Sequence, residues 1–360
     1  RNQQLWTSHN IGVDNTGVST GNYTTDARNA SRWYQINVPV GSGNPTIVQT
    51  GTLFAASVAN DSLQTNYTIP SINVSGQGHA VMGFSASGEN DYINAGFAGR
   101  LATDPLGTMQ APVLATASAT AYNPTSDPGT SGSRPRRWGD YATTSVDPLD
   151  DMSMWTVQQF CDASNSYGVR ITRVLAPPPA TPATLADVVA SQSSFTVTLT
   201  GTSSNGSGFF DPGANLPSPA RAFNHISASC FAGNASGTAP TVTSVSYVSP
   251  TSLSITFNTT NATPNLAGQF YSLTVTNPDG QSSTAAIVHV VPAIATITAS
   301  SNTGGSISPS GATQVTYGAS QAYAITPDPC NVINDVKVDG VSVGRVSAYT
   351  FSNVNTNHTI

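Results

Sequence analysis

Between positions 136 and 151 the chain reads RRWGDYATTSVDPLDD, its densest run of residue types that do chemistry. Arg136 and Arg137 carry planar guanidinium groups that suit a two-point grip on a carboxylate or sulfate. Trp138 offers a flat apolar face with one N–H, the shape that stacks on a sugar ring. Asp140 suits an acid, a base or a cation ligand, and Tyr141 completes the ligand-binding set. The same residues equally suit an Arg137–Asp140 ion pair beside a packed Trp138, since structural ion pairs imitate active sites. Catalysis needs more, namely several arginines, a nucleophile and an acid meeting from different segments, so no catalytic residue is assigned. Asp147, Asp150 and Asp151 follow within five residues. They offer oxygen ligands for Ca²⁺, but Asp-Pro and Asp-Asp are also ordinary turn formers, and the spacing is not that of an EF-hand. The turn is the favoured reading and a Ca²⁺ loop the alternative; no other cofactor is implied.

The remaining reactive side chains are dispersed. His9, His79, His225, His289 and His358 have no His, Cys or Asp neighbour at metal-ligand spacing. His79 begins a strand-like run after a glycine-flanked turn and reads as structural. Cys161, Cys230 and Cys330 are odd in number and far apart, so they form no CxxC-type motif and read as isolated thiols. No GxSxG, HExxH, Walker-A or GxGxxG element is present. Charged residues make up 8% of the 360, the formal net charge is -6, and Lys337 is the only lysine. A polybasic nucleic-acid surface is therefore excluded. No run of 18 apolar residues exists to span a membrane as a helix.

The elements that must position these residues are strands. Short alternating runs bounded by Gly, Pro, Asn and Asp recur along the chain, and long 3.6-residue periodicity is nearly absent, which predicts an all-β protein. Two proline-bearing boundaries, 176–186 (APPPATPATLA) and Pro292, divide it into segments 1–175, 187–292 and 293–360, with 176–186 as a stiff spacer. Segment 1–175 repeats loosely. PSINVSGQGHAVMGFSASG (70–88) and WGDYATTSVDPLDDMSMWTVQQF (138–160) are each strand, turn, strand, with a third strand following. The first set continues to a fourth strand over 110–122. The opening runs 5–13, 32–38 and 46–54 fit the same frame one unit earlier. Lettered from a propeller axis outward, the order is b-c-d, a-b-c-d, a-b-c, which makes about two and a half four-stranded blades.

This pattern resembles the C-terminal end of a sialidase-like, BNR-type propeller, although the SxDxGxTW box of that family is missing. In the segment 187–292, the alternating Tyr271, Leu273 and Val275 lead into VTNPDGQS, which resembles the closing hairpin of IPT/TIG-type immunoglobulin-like sandwiches. In the segment 293–360, GGSISPSG, ITP, VDGVSVG and NHTI resemble a β-repeat module of secreted bacterial proteins, with Pro329-Cys330-Asn331 where a Gly-Tyr is usual. There Asp339-Gly340 supplies a hairpin turn, and Val336, Val338, Val341 and Val343 are expected on one buried face. Both chain ends read as cuts from a longer polypeptide, the last module included.

The fold expected is thus a partial β-propeller, an Ig-like β-sandwich and a small β-repeat domain. In the propeller frame RRWGDY enters the innermost strand of its blade, at the rim of the central channel. The resemblance implies a secreted or cell-surface protein acting in adhesion, glycan binding or surface assembly. Its partner would be a glycan, another surface protein or further copies of the chain. The alternative is the non-catalytic C-terminal portion of a secreted hydrolase, either a sialidase-like glycosidase or a protease.

Overall fold

The structure, a computed structural model, describes residues 4–22, 25–26, 28–55, 65–124, 137–139, 142–212, 223–266 and 268–360. Among these residues there are 27 strands and no helix, and no sheet closes into a barrel. The protein is all-β, as its alternating patterns require. Two compact units are present. The first comprises Arg1–Pro178, Asn205–His225 and Pro278–Gly280, and the second Pro179–Ser204, Ile226–Asn277 and Gln281–Ile360.

The first unit holds three antiparallel meanders, each in sequence order. Strands β1 (Gln4–Val13), β2 (Arg28–Asn37) and β3 (Thr46–Leu53) form one sheet. A second contains β4 (Asn66–Val74), β5 (Ala80–Ser87), β6 (Asn94–Arg100) and β7 (Val113–Leu114). The third is made of β8 (Thr143–Val146), β9 (Met154–Phe160) and β10 (Gly168–Val174). The run 110–122, expected as a full strand, contributes only the two residues of β7.

The two faces of the middle sheet differ. Toward the first sheet it is apolar: Tyr67, Met82, Phe84, Ala86 and Ala98 join Trp33 and Leu53 in one core, and Trp33 stacks on Trp6 with ring centroids 5.5 Å apart. Toward the third sheet it presents Ser71, Asn73, Gly83 and Ser85. Ser71 Oγ and Thr144 Oγ1 lie 2.8 Å apart, Asn73 Nδ2 donates to Thr144 O at 3.1 Å, and Ser85 Oγ donates to Gln159 O at 3.2 Å. All of β5 except its last residue is buried, as a strand with sheets on both faces must be.

In the second unit β11 (Thr181–Leu185), β13 (Phe195–Thr202), β16 (Ser252–Asn258) and β15 (Thr241–Ser249) form a four-stranded sheet. Strands β14 (Ser227–Phe231), β17 (Tyr271–Thr276) and β18 (Ser282–Val288) form a three-stranded one, and β12 (Val188–Val189) pairs in parallel with β19 (Val290–Val291). Leu253, Ile255 and Phe257 of β16 and Tyr271, Leu273 and Val275 of β17 are buried at every second position, leaving the intervening Ser and Thr outward. The stretch expected as a spacer, 176–186, is in part the edge strand β11. Pro182 is tolerated there at a bulge, because an edge strand needs backbone donors on one side only.

Further along the same unit, β20 (Ile294–Ala299), β22 (Gly311–Thr316) and β27 (His358–Thr359) make one sheet. Another contains β21 (Gly305–Ser308), β23 (Gln321–Pro327) and β26 (Ala348–Phe351), and β24 (Val336–Val338) with β25 (Val341–Gly344) is a hairpin. Ile297, Tyr323, Val336, Phe351 and Val354 form their core. Asp339 and Gly340 both have positive φ (49° and 79°), the backbone of a two-residue type I′ turn. The expected apolar face is only partly realised. Val336 is buried and Val338 and Val343 pack against the core, but Val341 is 68% exposed, because it sits at the hairpin tip beyond the core's edge.

The close approach of the middle and third sheets makes a specific demand at Gly83, where a β-carbon would fall onto Thr156 Oγ1 and Gln158 Nε2. Gly83→Val is expected to destabilise the protein by about 1–3 kcal/mol, the usual cost of overpacking. Urea unfolding checks this, and an unchanged midpoint would show that the sheets part freely.

Candidate functional site

Arg136, Asp140 and Tyr141 lie outside the described residues, so the site is built on Arg137 and Trp138. Neither lies within a strand, since β8 begins only at Thr143. Two features seat Trp138. Its Nε1 donates to Ser85 Oγ at 3.1 Å, and the N–H of the next residue, Gly139, donates to Gln159 Oε1 at 2.7 Å. Gly139 has φ +94°, and a β-carbon there would press into Ile69. Ile69 is itself strained, a β-branched residue at φ +53° whose N–H is held by Asn10 Oδ1 at 2.8 Å. Arg137 is exposed beside them.

The structure adds partners that sequence spacing did not reveal. Tyr122 meets the Trp138 ring edge-on at 5.0 Å, and Tyr167 does so at 6.4 Å; the two tyrosines are 6.4 Å apart. Tyr167 is 46% exposed, and Tyr122 and Trp138 are half-buried. Three aromatic side chains from separate segments thus form one surface cluster with polar groups at its base. Aromatic rings held at a surface in this way suit a ligand with an apolar face.

The three turn carboxylates do not converge on a cation. Among the described residues no group of three or more His, Cys, Asp or Glu side chains could hold a metal ion. Asp150 is buried and turned onto its own loop: Oδ1 accepts the N–H groups of Met152 and Ser153, both at 2.8 Å, and Oδ2 accepts Ser153 Oγ at 2.6 Å. Arg173 reaches the same carboxylate at 3.4 Å, donates to Ser153 Oγ at 2.9 Å and lies over the Trp155 ring. Asp147 accepts Leu149 N–H and Trp155 Nε1, both at 2.9 Å. Asp151 is buried at φ +57°, and its carbonyl accepts Gly76 N–H at 2.8 Å. Local donors thus engage the carboxylates of Asp147 and Asp150, as in a turn.

A cavity of about 820 Å³ lies at the end of the middle sheet, lined among others by His79, Phe97, Arg100, Asp104, Met154 and Leu175; none of the three clustered aromatics borders it. Buried His79 accepts Ala102 N–H on Nδ1 at 3.0 Å, which places the ring proton on Nε2 in the neutral form. Burial holds its pKa below the usual value. The cysteines stay separate and free: Cys161 buried, Cys230 with its thiol pushed up to about 12 by burial, and Cys330 exposed.

Comparison of the sequence with protein-family models and with curated proteins returns no match.

Two expectations follow. Asp150→Ala strands two buried N–H groups and is expected to cost about 1–3 kcal/mol, while CaCl₂ or EDTA leaves the melting temperature of the unmodified protein unchanged; differential scanning calorimetry reads both. For His79 the folded-state pKa is depressed, so the unfolded chain binds this proton first as pH falls through about 6.5. Its contribution is intact above that pH and declines with acidification until the folded ring is protonated too. His79→Asn keeps an acceptor but cannot titrate, so the variant is expected to lose less stability than the parent between pH 7.5 and 5.

Proposed function

We propose that this is a non-enzymatic binding protein of the cell exterior that recognises glycans through the Tyr122–Trp138–Tyr167 cluster. The observation that carries the proposal is that cluster, with Trp138 seated by Ser85 and its neighbour Gly139 by Gln159. Sugars present C–H faces to aromatic rings, and this surface offers three such rings. Arg137, exposed beside the rings, favours a glycan that bears a carboxylate or sulfate.

On this reading the three meanders of the first unit are successive blades of a propeller of the sialidase-like, BNR type. Their support is the order of the strands, each sheet an antiparallel meander of neighbours in sequence. The stretch 187–292 is an IPT/TIG-like sandwich and 293–360 a repeat module of secreted proteins, together a spacer that presents the first unit in adhesion or surface assembly. The alternating buried positions of β16 and β17 and the Asp339-Gly340 turn support these two identifications.

Glycan-array binding followed by titration calorimetry tests the proposal. Trp138→Ala and Tyr167→Ala are each expected to weaken binding tenfold or more, about 1.4 kcal/mol, while Trp138→Phe retains part of it. Binding unchanged in both alanine variants would remove the cluster from the site.

A further inference from the structure

We infer that the outer edge of β10 is a docking edge, which takes up an extended segment of a partner protein, acidic and apolar by turns, as one more antiparallel strand. The inference stands apart from the aromatic cluster and does not need it to bind a glycan.

In the third sheet β9 lies between β8 and β10, so one side of β10 has no strand beside it. Its register against β9 is regular from Gly168 to Val174, without a bulge. Among the described residues no group outside β9 bonds to the backbone of this stretch. Every second N–H and C=O along it points away from β9 and is open to a new ladder. Several other edges are blunted. Strand β11 carries Pro182 and a bulge, and the register of β15 is broken at Val242/Ser244 and again at Tyr247/Ser249. Strand β7 has only two residues. Beside β1, Ser8 Oγ donates to Pro70 O at 3.2 Å and Asn10 Oδ1 accepts Ile69 N–H at 2.8 Å.

The side chains select the partner. On one face of the strand Val169 is 44% and Ile171 61% exposed, and Val157 of β9 is paired with Ile171. An apolar residue added opposite Ile171 continues the row from Val157. On the other face Arg170 is exposed, and among the described residues it forms no ion pair. Arg173, on the face of Ile171, is 39% exposed and reaches only one carboxylate, that of Asp150, at 3.4 Å. An acidic residue opposite each arginine gains a charge-assisted hydrogen bond. A second copy of this strand fits less well. Paired about its centre, Ile171, it sets the Arg170 side chains of both copies on one face as diagonal neighbours, where like charges repel. Read antiparallel from Val174 back to Gly168, the complement is Thr-Glu-Thr-Val-Glu-Val-Thr, with valines opposite Ile171 and Val169 and glutamates opposite Arg173 and Arg170.

The test titrates the isotope-labelled full chain with that peptide, acetylated and amidated at its ends, and follows the backbone amide signals by NMR. A second peptide, Thr-Glu-Thr-Val-Lys-Val-Thr, differs only in the residue opposite Arg170. The first is expected to move the signals of 168–174 and to bind about threefold tighter than the second, the worth of one exposed cross-strand charge pair. Arg170→Glu, a change at an exposed side chain, is expected to reverse that order. Amide signals of β10 that stay in place with the first peptide, equal binding of the two peptides, or an unchanged order in Arg170→Glu would overturn the inference. So would sedimentation of the free protein as a dimer that Ile171→Lys dissociates, since the edge then belongs to a second copy.

Discussion

The first unit depends on one strand being buried on both of its faces. In β5 the even-numbered positions Met82, Phe84 and Ala86 complete the apolar core with Trp33 and Leu53. The odd-numbered positions Gly83 and Ser85 meet Thr156, Gln158 and Gln159 of the next sheet. The small residues are a consequence of distance, since the second interface is joined by hydrogen bonds that are short only if the backbones approach closely. The same strand positions the candidate site, because Ser85 both joins the two sheets and accepts the indole N–H of Trp138. The aromatic cluster is therefore an extension of the interface between sheets, held by the core from beneath. The strained Ile69 is tolerated next to it, packed against Gly139 and held through its N–H by Asn10.

A chain with so few charges uses its carboxylates locally. Asp14 accepts the hydroxyl and N–H of Thr16 and the N–H of Val18, and these bonds, the Thr16 hydroxyl foremost, hold its pKa below the ordinary range. Asp26 does the same for Thr20 and Gly21, with the Thr20 N–H as the main cause. Asp339, at the tip of the β24–β25 hairpin, is held low chiefly by its hydrogen bond to His358. Asp150 likewise accepts N–H groups of its own turn. Turns rich in Gly, Asn and Asp leave N–H groups pointing inward, and a carboxylate is the strongest acceptor available for them. In the DPLDD turn, Asp147 and Asp150 engage their oxygens with N–H and O–H groups of the same hairpin. Arg100 is buried and donates to the Gln49 side chain and to backbone carbonyls, with the Asp104 carboxylate acting on it electrostatically.

Much of the architecture was legible in the sequence. Strand-like runs bounded by turns marked β5 and β9, period-two alternation marked β17, and Asp339-Gly340 marked its turn, since these signals are carried by residues within a few positions of one another. The site was legible only in part. Trp138 stood out by type, but Tyr122 and Tyr167 come from other segments and carry no local sign of their meeting. The APPPATPATLA run read as a spacer because proline disfavours strands in general; that Thr181–Leu185 forms a strand reflects the presence of β13 beside it. Val341 fitted the alternation of its hairpin but ends up exposed, because alternation says which face a side chain takes and not whether the core extends that far.

By itself, then, the sequence determined that the protein is built of strands, where most of them run, which side chains share a face and where the tight turns fall. Backbone sterics and side-chain periodicity act over a few residues and need no knowledge of the rest of the chain. Tertiary structure alone decided which faces meet: that Gly83 lies under Thr156, that three distant aromatic rings form one cluster, that the turn carboxylates face inward, and that Arg100 is surrounded by amides. These outcomes depend on which sheet stacks on which, a question of distances between segments that no local pattern encodes.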